Sequence, residues 1–150
     1  MRILAPVMVG LTALCAAPAI AATPETEAFG QCLIGKTTGD DRLLLARWIT
    51  LSFSSHYIVA DVVTVDQSKL ADLDQKMAAL VMSLLVERCS AEAKAAVVAE
   101  GNPATAMQKA FEMLGMVASQ EVMMDANVQA RINAFGGFLD ESKLAAVLSK

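Results

Sequence analysis

The chain has 150 residues, of which 55% are hydrophobic and 19% are charged, and its formal net charge is −4 at pH 7. Its basic residues are scattered among a larger number of acidic ones, so the sequence lacks the basic face that binding to nucleic acid requires. One histidine and the two distant cysteines of the mature chain, Cys32 and Cys89, fall short of the usual ligand set of a zinc site.

The N-terminal segment has the layout of a secretory signal peptide. Arg2 supplies a positive charge, residues 3–14 are apolar and uncharged, and small residues lie just before the expected cleavage site. We therefore expect cleavage after Ala21, which leaves a single mature domain over residues 22–150 that is periplasmic or secreted. The alternative is an uncleaved anchor, because the apolar segment is just long enough to span a bilayer. We expect no other membrane span.

The first two mature helices are predicted from apolar spacing and capping residues. Apolar residues at i, i+3 and i+4 from Phe29 indicate a short helix that Gly35 ends. Thr38 and Asp41 match a capping box, T-x-x-D, which places the start of the second helix there. An apolar stripe then predicts that this helix runs to about Ala60.

A valine-rich stretch, residues 62–65, is expected to be a loop because no partner strand is visible elsewhere in the sequence. Asp66 or Thr64 is expected to cap a third helix, whose apolar face predicts that it continues through Glu87.

Two further helices and a last pair of helical pieces complete the chain. Ser90 is expected to cap an alanine-rich helix that Gly101 ends, and Pro103 fits the first turn of the next helix. Two last pieces cover residues 127–135 and 142–148, divided by a pair of glycines. With few strand-forming residues, the sequence predicts an all-α, compact single-domain bundle of five to six helices.

Export would leave two cysteines, Cys32 and Cys89. In an oxidising compartment a lone pair is more often a disulfide than two free thiols. The two are too far apart in sequence for a redox C-x-x-C motif. We therefore predict a structural disulfide that joins the first helix to the end of the third.

One segment, Gly30–Thr37, fits the phosphate-binding pattern G-x-x-x-x-G-K-[ST]. A phosphate cradle needs a preceding strand and an open loop whose backbone amides face the ligand. Here the preceding residues leave no room for a buried strand, and residues 32–34 are bulky core types. We interpret the match as fortuitous and expect no nucleotide ligand.

His56, the only histidine, is the one side chain whose ordinary pKa lies near neutrality. A catalytic role would require a partner such as Asp40 or Asp41. No nucleophile motif accompanies it, so we favour a histidine near a helix end that is hydrogen-bonded to backbone or to a carboxylate. An enzyme centred on His56 remains the minority hypothesis.

The C-terminal half is rich in methionine. Met113, Met116 and Met123 carry thioethers of the kind that bind Cu(I), but their spacing is that of a helix face, which favours core packing and no metal or other cofactor. Together with Phe135 they are also candidates for an apolar groove that receives a lipid or a partner helix.

Arg42 and Trp48 are the other candidates for contact with a ligand or partner. Arg42 lies beside two aspartates in the capping turn, and Trp48 belongs to the apolar stripe of the second helix. An arginine at the edge of a core usually pairs with a carboxylate for structural reasons.

Residues 32–56 contain the pattern C-L-x-x-x-T-T-G-x-D-R, followed by R-W and then His. In this pattern the chain resembles a group of short, uncharacterised secreted proteins of Gram-negative bacteria. The resemblance covers about the first third of the mature chain and implies export and a helical fold, without an activity.

The expected function is therefore that of a non-enzymatic exported protein that binds a partner. The alternatives are a carrier of a small apolar ligand in the methionine-rich groove, and the enzyme that uses His56 with Asp40 or Asp41.

Overall fold

A computed structural model of the protein describes residues 21–59 and 61–148, so all but the last residue of the expected signal peptide lies outside it. Within these ranges the chain is helical and contains no strand, which confirms the all-α prediction. The helices are α1 (Pro24–Lys36), α2 (Gly39–Phe53), α3 (Gln67–Met82), α4 (Ser90–Glu100), α5 (Pro103–Met123), α6 (Ala126–Asn133) and α7 (Glu141–Leu148). These seven helices in the described part slightly exceed the predicted five to six.

Side-chain caps set the starts of three helices where the sequence predicted them. At α2, Asp41 N donates to Thr38 Oγ1 (3.1 Å) and Thr38 N donates to Asp41 Oδ2 (3.0 Å), which completes the capping box. Asp66 accepts from the first free amides of α3, and Asn102 does the same for α5. These bonds satisfy amides that have no partner inside their helix.

The predicted end of α2 is wrong, because the helix stops at Phe53, well before Ala60. The hydroxyls of Ser52 and Ser54 donate to backbone carbonyls one turn earlier. Such bonds compete with the helical hydrogen-bond ladder. A 3₁₀ turn, Tyr57–Val59, follows after a short break.

Two smaller boundary predictions are also corrected. Gly35 does not end α1, which starts at Pro24 and continues through Lys36. Ser90 is the first residue of α4 rather than its cap, because Cys89 occupies the cap position without a side-chain hydrogen bond. Cys89 caps the helix poorly because its sulfur is bonded elsewhere.

The core lies between α1, α2, α4 and α5. α5 packs against the other three helices, and α1 also packs against α4. Phe29, Leu33, Leu84 and Leu114 are completely buried at this junction. Phe29 also meets the ring of Phe111 edge to face, with centroids 6.4 Å apart, which is a favoured aromatic geometry.

Cys32 in α1 and Cys89 form a disulfide with a Cα–Cα distance of 6.0 Å, as predicted. The bridge closes the part of the chain that contains α2 and α3. Beside it, Arg88 Nη1 donates to the carbonyl of Lys36 (2.9 Å) and to Asp41 Oδ2 (3.2 Å). The end of α1, the start of α2 and the start of α4 are thereby held together.

α3 lies at the periphery. It packs against α2 and continues into a π-helical segment, Ser83–Arg88, but none of its Cα atoms lies within 8 Å of a Cα atom of α5. α2 therefore lies between α3 and α5, and these two outer helices leave an open gap along one side of α2.

Residues 126–148 extend from the core. α6 contacts the end of α5 and the following 3₁₀ turn, Ala134–Phe138, whereas α7 packs against no other element of the described chain. We call residues 126–148 the C-terminal segment. No helix within residues 21–59 and 61–148 combines the length and the apolar character needed to cross a bilayer.

Candidate apolar binding groove

The gap between α3 and α5 is a groove of about 750 Å³, with α2 as its floor. Ten of its twelve lining residues are apolar, and the two exceptions are Asp74 and Gln108. The floor is formed by Leu45, Trp48 and Ile49 of α2. An exposed surface with so few polar groups is typical of binding sites rather than of ordinary protein surface.

The groove exists because the apolar face of α3 is wider than its contact with α2. Leu73, Met77 and Leu80 are buried, whereas Val81 is only partly covered and Met82 is 58% exposed. An apolar stripe of this width is what a helix packed on two sides would need. α3 packs against one helix, so the second side remains free.

The π-helical segment at the end of α3 directs neighbouring leucines to different environments. Cys89 N donates to Leu84 O, a bond that spans five residues instead of four. Leu84 is completely buried in the core, whereas Leu85 lines the groove. Single π turns inside helices occur frequently at functional sites.

Trp48 connects the floor of the groove to its α3 wall. Its indole Nε1 donates to Asp74 Oδ1 at 2.8 Å, so the ring is held in a defined orientation. The indole is half-buried and presents apolar surface to the groove. Trp48 was a sequence candidate for ligand contact, and the structure places it in the groove lining.

Arg42, the second such candidate, lies outside the groove. Its Nε donates to Glu121 Oε1 at 2.6 Å, and its Nη1 donates to the carbonyl of Thr37 at 2.9 Å. Arg42 thus ties the start of α2 to the end of α5 and to the end of α1. These bonds give it a structural role in holding the groove's supporting helices.

The structure does not bring His56 together with Asp40 or Asp41. His56 is exposed beyond the end of α2, where its ring stacks on Tyr57 at a centroid distance of 4.5 Å and its Nδ1 accepts from Ile58 N. The aspartates lie at the opposite end of the helix, roughly 20 Å away at 1.5 Å per residue.

Asp41 has a structural environment of its own. Partial burial would raise the pKa of its carboxyl, but hydrogen bonds from the Thr38 amide and from Arg88 outweigh this effect and hold the pKa below its ordinary value. The carboxylate therefore stays ionised and serves the cap and the Arg88 contact.

The methionines singled out in the sequence do not line the groove. Met113 packs against Gly30 of α1, and Met116 is 56% exposed. Met123 ends α5, and Phe135 lies in the C-terminal segment. The groove contains three other methionines, Met77, Met82 and Met107. Met77 and Met107 lie on stripes that the sequence predicted to be core, whereas Met82 was not singled out; the width of the apolar face of α3 was the only sequence signal of a second surface.

The segment that matches the phosphate-binding pattern is helical. Residues 30–36 belong to α1, and Thr37 is its C-cap, so most of their amides are engaged in helical hydrogen bonds. Gly30 is buried where α1 approaches α5. Helix packing therefore explains Gly30, and the other residues of the pattern are ordinary members of α1 and its C-cap.

Within residues 21–59 and 61–148, no three His, Cys, Asp or Glu side chains are grouped so that they could hold a metal ion. Comparisons of the chain with protein-family models, with curated proteins and with solved structures find no match. The groove is therefore the feature from which a function has to be inferred.

Proposed function

We propose that the chain is an exported, non-enzymatic binding protein that takes an apolar helical segment of a protein partner into the groove between α3 and α5. The observation that carries this proposal is the groove itself, whose lining is apolar at ten of twelve positions. Burial of apolar surface is the main favourable term in such association.

The shape of the groove favours a helix as its occupant. α3 and α5 flank the groove and α2 forms its floor, so a helix bound there would pack against the side of α3 that has no neighbour. Amphipathic helices bind in grooves of this kind through apolar side chains at i, i+3, i+4 and i+7. The exposed Met82 and the other groove methionines suit such a surface, because their unbranched side chains adapt to different partners.

Export is part of the proposal. The Cys32–Cys89 disulfide supports it, because disulfides form and persist in oxidising compartments such as the periplasm. The apolar N-terminal residues, read as a signal peptide cleaved after Ala21, and the resemblance of residues 32–56 to secreted proteins point the same way.

A carrier of a small apolar molecule is the second candidate. The groove volume of about 750 Å³ lies within the range of small-molecule sites, roughly 300–1,000 Å³. Asp74 and Gln108 supply the few polar groups that such sites use to orient a ligand.

Trp48 provides the test, because it is the only tryptophan and lines the groove. The mature protein is titrated with a tryptophan-free leucine–lysine helix of about 18 residues, five helical turns, and separately with the apolar dye N-phenyl-1-naphthylamine. We expect the peptide to shift Trp48 emission to shorter wavelength. Ala78→Glu, which places a carboxylate in the lining, should weaken binding roughly 10-fold or more because that charge would lose its water.

Ala79→Glu is the matched control, since Ala79 is exposed one residue further along α3 and does not line the groove. It should bind the peptide like the parent protein. Equal binding by both variants, or no binding by the parent, would refute the proposal. Binding of the dye alone, sensitive to Ala78→Glu, would favour the small-molecule carrier.

A further inference from the structure

We propose that the connection between α2 and α3 binds a zwitterionic phospholipid surface through an apolar tip formed by Phe53, Tyr57, Ile58 and Val62. The inference does not depend on the groove and goes beyond the proposed function. It rests on the protrusion of these four side chains, on the hydrogen bonds of the backbone that carries them, and on the small number of charges beside them.

The side chains of the apolar tip protrude from the bundle. Their exposed fractions lie between 70% and 83%, and none of the four lines the groove. The 3₁₀ turn that carries Tyr57 and Ile58 has no Cα atom within 8 Å of a Cα atom of another helix of the described chain. A fluid lipid interface can receive such protruding apolar side chains, because it requires no surface of matching shape.

The backbone of the connection satisfies many of its own amides. Consecutive turns join the amides of residues 55, 56, 59, 62 and 63 to carbonyls three or four residues earlier, at 3.0–3.2 Å. The amide of Ile58 donates to His56 Nδ1 at 3.3 Å, and the Ser54 hydroxyl donates to Leu51 O. Polar groups without partners are costly where water is scarce. These bonds therefore suit the tip to a shallow position at the level of the lipid headgroups.

The charges around the tip also favour a lipid surface. Asp61 is the only charged side chain of residues 53–59 and 61–63 when His56 is neutral. The exposed Phe138, by contrast, is closely followed by charged residues at 140, 141 and 143. Charged groups oppose transfer out of water. The whole chain has a net charge of −4, which disfavours anionic lipids and leads us to specify a zwitterionic surface.

The composition of the tip matches the two depths of a membrane interface. Tyrosine is enriched at headgroup level, because its ring is apolar and its hydroxyl can stay in water. Phe53, Ile58 and Val62 are purely apolar and would enter the boundary with the acyl chains, about 5–10 Å deep. The tip therefore has the features of a contact that lies on a membrane without crossing it.

The test is co-sedimentation of the mature protein with protein-free, sucrose-loaded phosphatidylcholine vesicles, from micromolar to millimolar lipid. We expect the parent protein to sediment with the vesicles. A tip variant, Tyr57→Ser/Ile58→Ser, should lower the partition coefficient roughly 10-fold or more, because it removes two apolar side chains from the interface. Both residues are exposed, so the variant should unfold at the parent's temperature.

The matched control is Val98→Ser/Phe138→Ser. Val98 on α4 and Phe138 in the C-terminal segment are 82% and 85% exposed, so this variant removes similar apolar surface away from the tip. It should bind vesicles like the parent. The comparison separates a contact made by the tip from a general attraction of exposed apolar side chains to lipid.

A tryptophan at the tip reports its position directly. In a Trp48→Phe background, the emission of Ile58→Trp should shift to shorter wavelength on addition of vesicles. Lipids brominated on their acyl chains should quench it. Val98→Trp in the same background should show neither effect, because Val98 lies outside the tip.

Four results would overturn the inference. These are a parent that stays in solution at every lipid concentration, a tip variant that sediments like the parent, a control variant that loses binding as the tip variant does, and loss of binding in Ala78→Glu. The last result would place the lipid in the groove. A parent that binds only membranes that retain their own proteins would assign the tip to a protein partner instead. Binding of the leucine–lysine peptide is measured without lipid, so the proposed function stands or fails separately.

Discussion

Replacement of Gly30 and Gly35 by alanine tests whether the G-x-x-x-x-G-K-[ST] match reflects helix packing. Both glycines lie inside α1, so each alanine variant gains up to about 1 kcal/mol of helix propensity. Their surroundings differ. A Cβ at Gly35 meets no atom within 4 Å, whereas a Cβ at Gly30 would overlap Met113 Sδ and lie 3.3 Å from Met113 Cβ.

The quantity to compare is the difference in free energy of unfolding between the two variants, because the gain in helix propensity is common to both. Insertion of extra atoms into a packed helix contact costs about 1–3 kcal/mol. Because the overlapping atoms are the flexible end of Met113, the free energy of unfolding of Gly30→Ala should fall below that of Gly35→Ala by about 1 kcal/mol, the lower end of that range. Urea denaturation measures this difference directly when the slope of the transition is unchanged.

The second half of the test removes the obstructing side chain. In a Met113→Ala background the Gly30→Ala substitution should lose its penalty, so the two changes should show a favourable coupling in a double-mutant cycle. Equal stabilities for Gly30→Ala and Gly35→Ala would refute the close contact between α1 and α5. A saturable calorimetric signal with Mg-ATP that Gly35→Ala abolishes would refute the packing interpretation as a whole.

Two further predictions concern the bonds that hold the helices together. Cys89→Ser should lower the free energy of unfolding by about 4 kcal/mol in the chain-entropy model for the 57-residue separation; an unchanged urea midpoint would contradict a structural role. Glu100 accepts from Lys109 Nζ (2.8 Å), from the Thr23 amide (3.1 Å) and from Thr26 Oγ1 (3.0 Å), and these bonds, that of Lys109 first, lower its pKa from 4.5 to about 2. Because the folded-state pKa is lowered, its contribution to stability is complete above pH 4.5 and is lost as the pH falls towards 2. Glu100→Gln should therefore flatten the acid limb of the stability profile, and an unaltered acid limb would contradict this assignment.

The parts of the fold that were predicted correctly depend on neighbours in sequence. The Thr38–Asp41 box and the Asp66 cap need only residues within one helical turn, so they can be read without tertiary information. Gly101 ends α4 in the left-handed conformation, at φ 66°, for the same local reason. The disulfide was predicted by elimination, since the expected cleavage after Ala21 would leave two cysteines.

The errors arise where local signals compete. An apolar stripe past Phe53 predicted a longer α2, but the Ser52 and Ser54 hydroxyls bond to the backbone instead, and no other element packs against the continuation. Similarly, Gly35 resembled a helix end but has no positive φ, so α1 passes through it. A helix end depends on which of these weak preferences tertiary packing supports.

The position of the groove could not be predicted from the sequence. Hydrophobic periodicity shows that a helix face is apolar, but it does not show which element covers that face. The stripes of α3 and α5 are alike in the sequence, yet α5 is packed on three sides and α3 on one. Met113 looked like a groove residue and is packed against Gly30, whereas Val81, on the apolar face of α3, is only partly covered and lines the groove. Only the distance between α3 and α5 decides whether a residue of these stripes lies in the core or lines the groove.

The C-terminal segment is a second case in which the sequence pattern does not show what covers an apolar face. Its apolar residues resemble a core stripe in the sequence, but α6 ends at Asn133, before Phe135 and Leu139, and the bundle closes without them, because α1 and α4 already cover the faces of α5 that α2 leaves free. A core that is complete after α5 leaves residues 126–148 with no position of their own in the monomer.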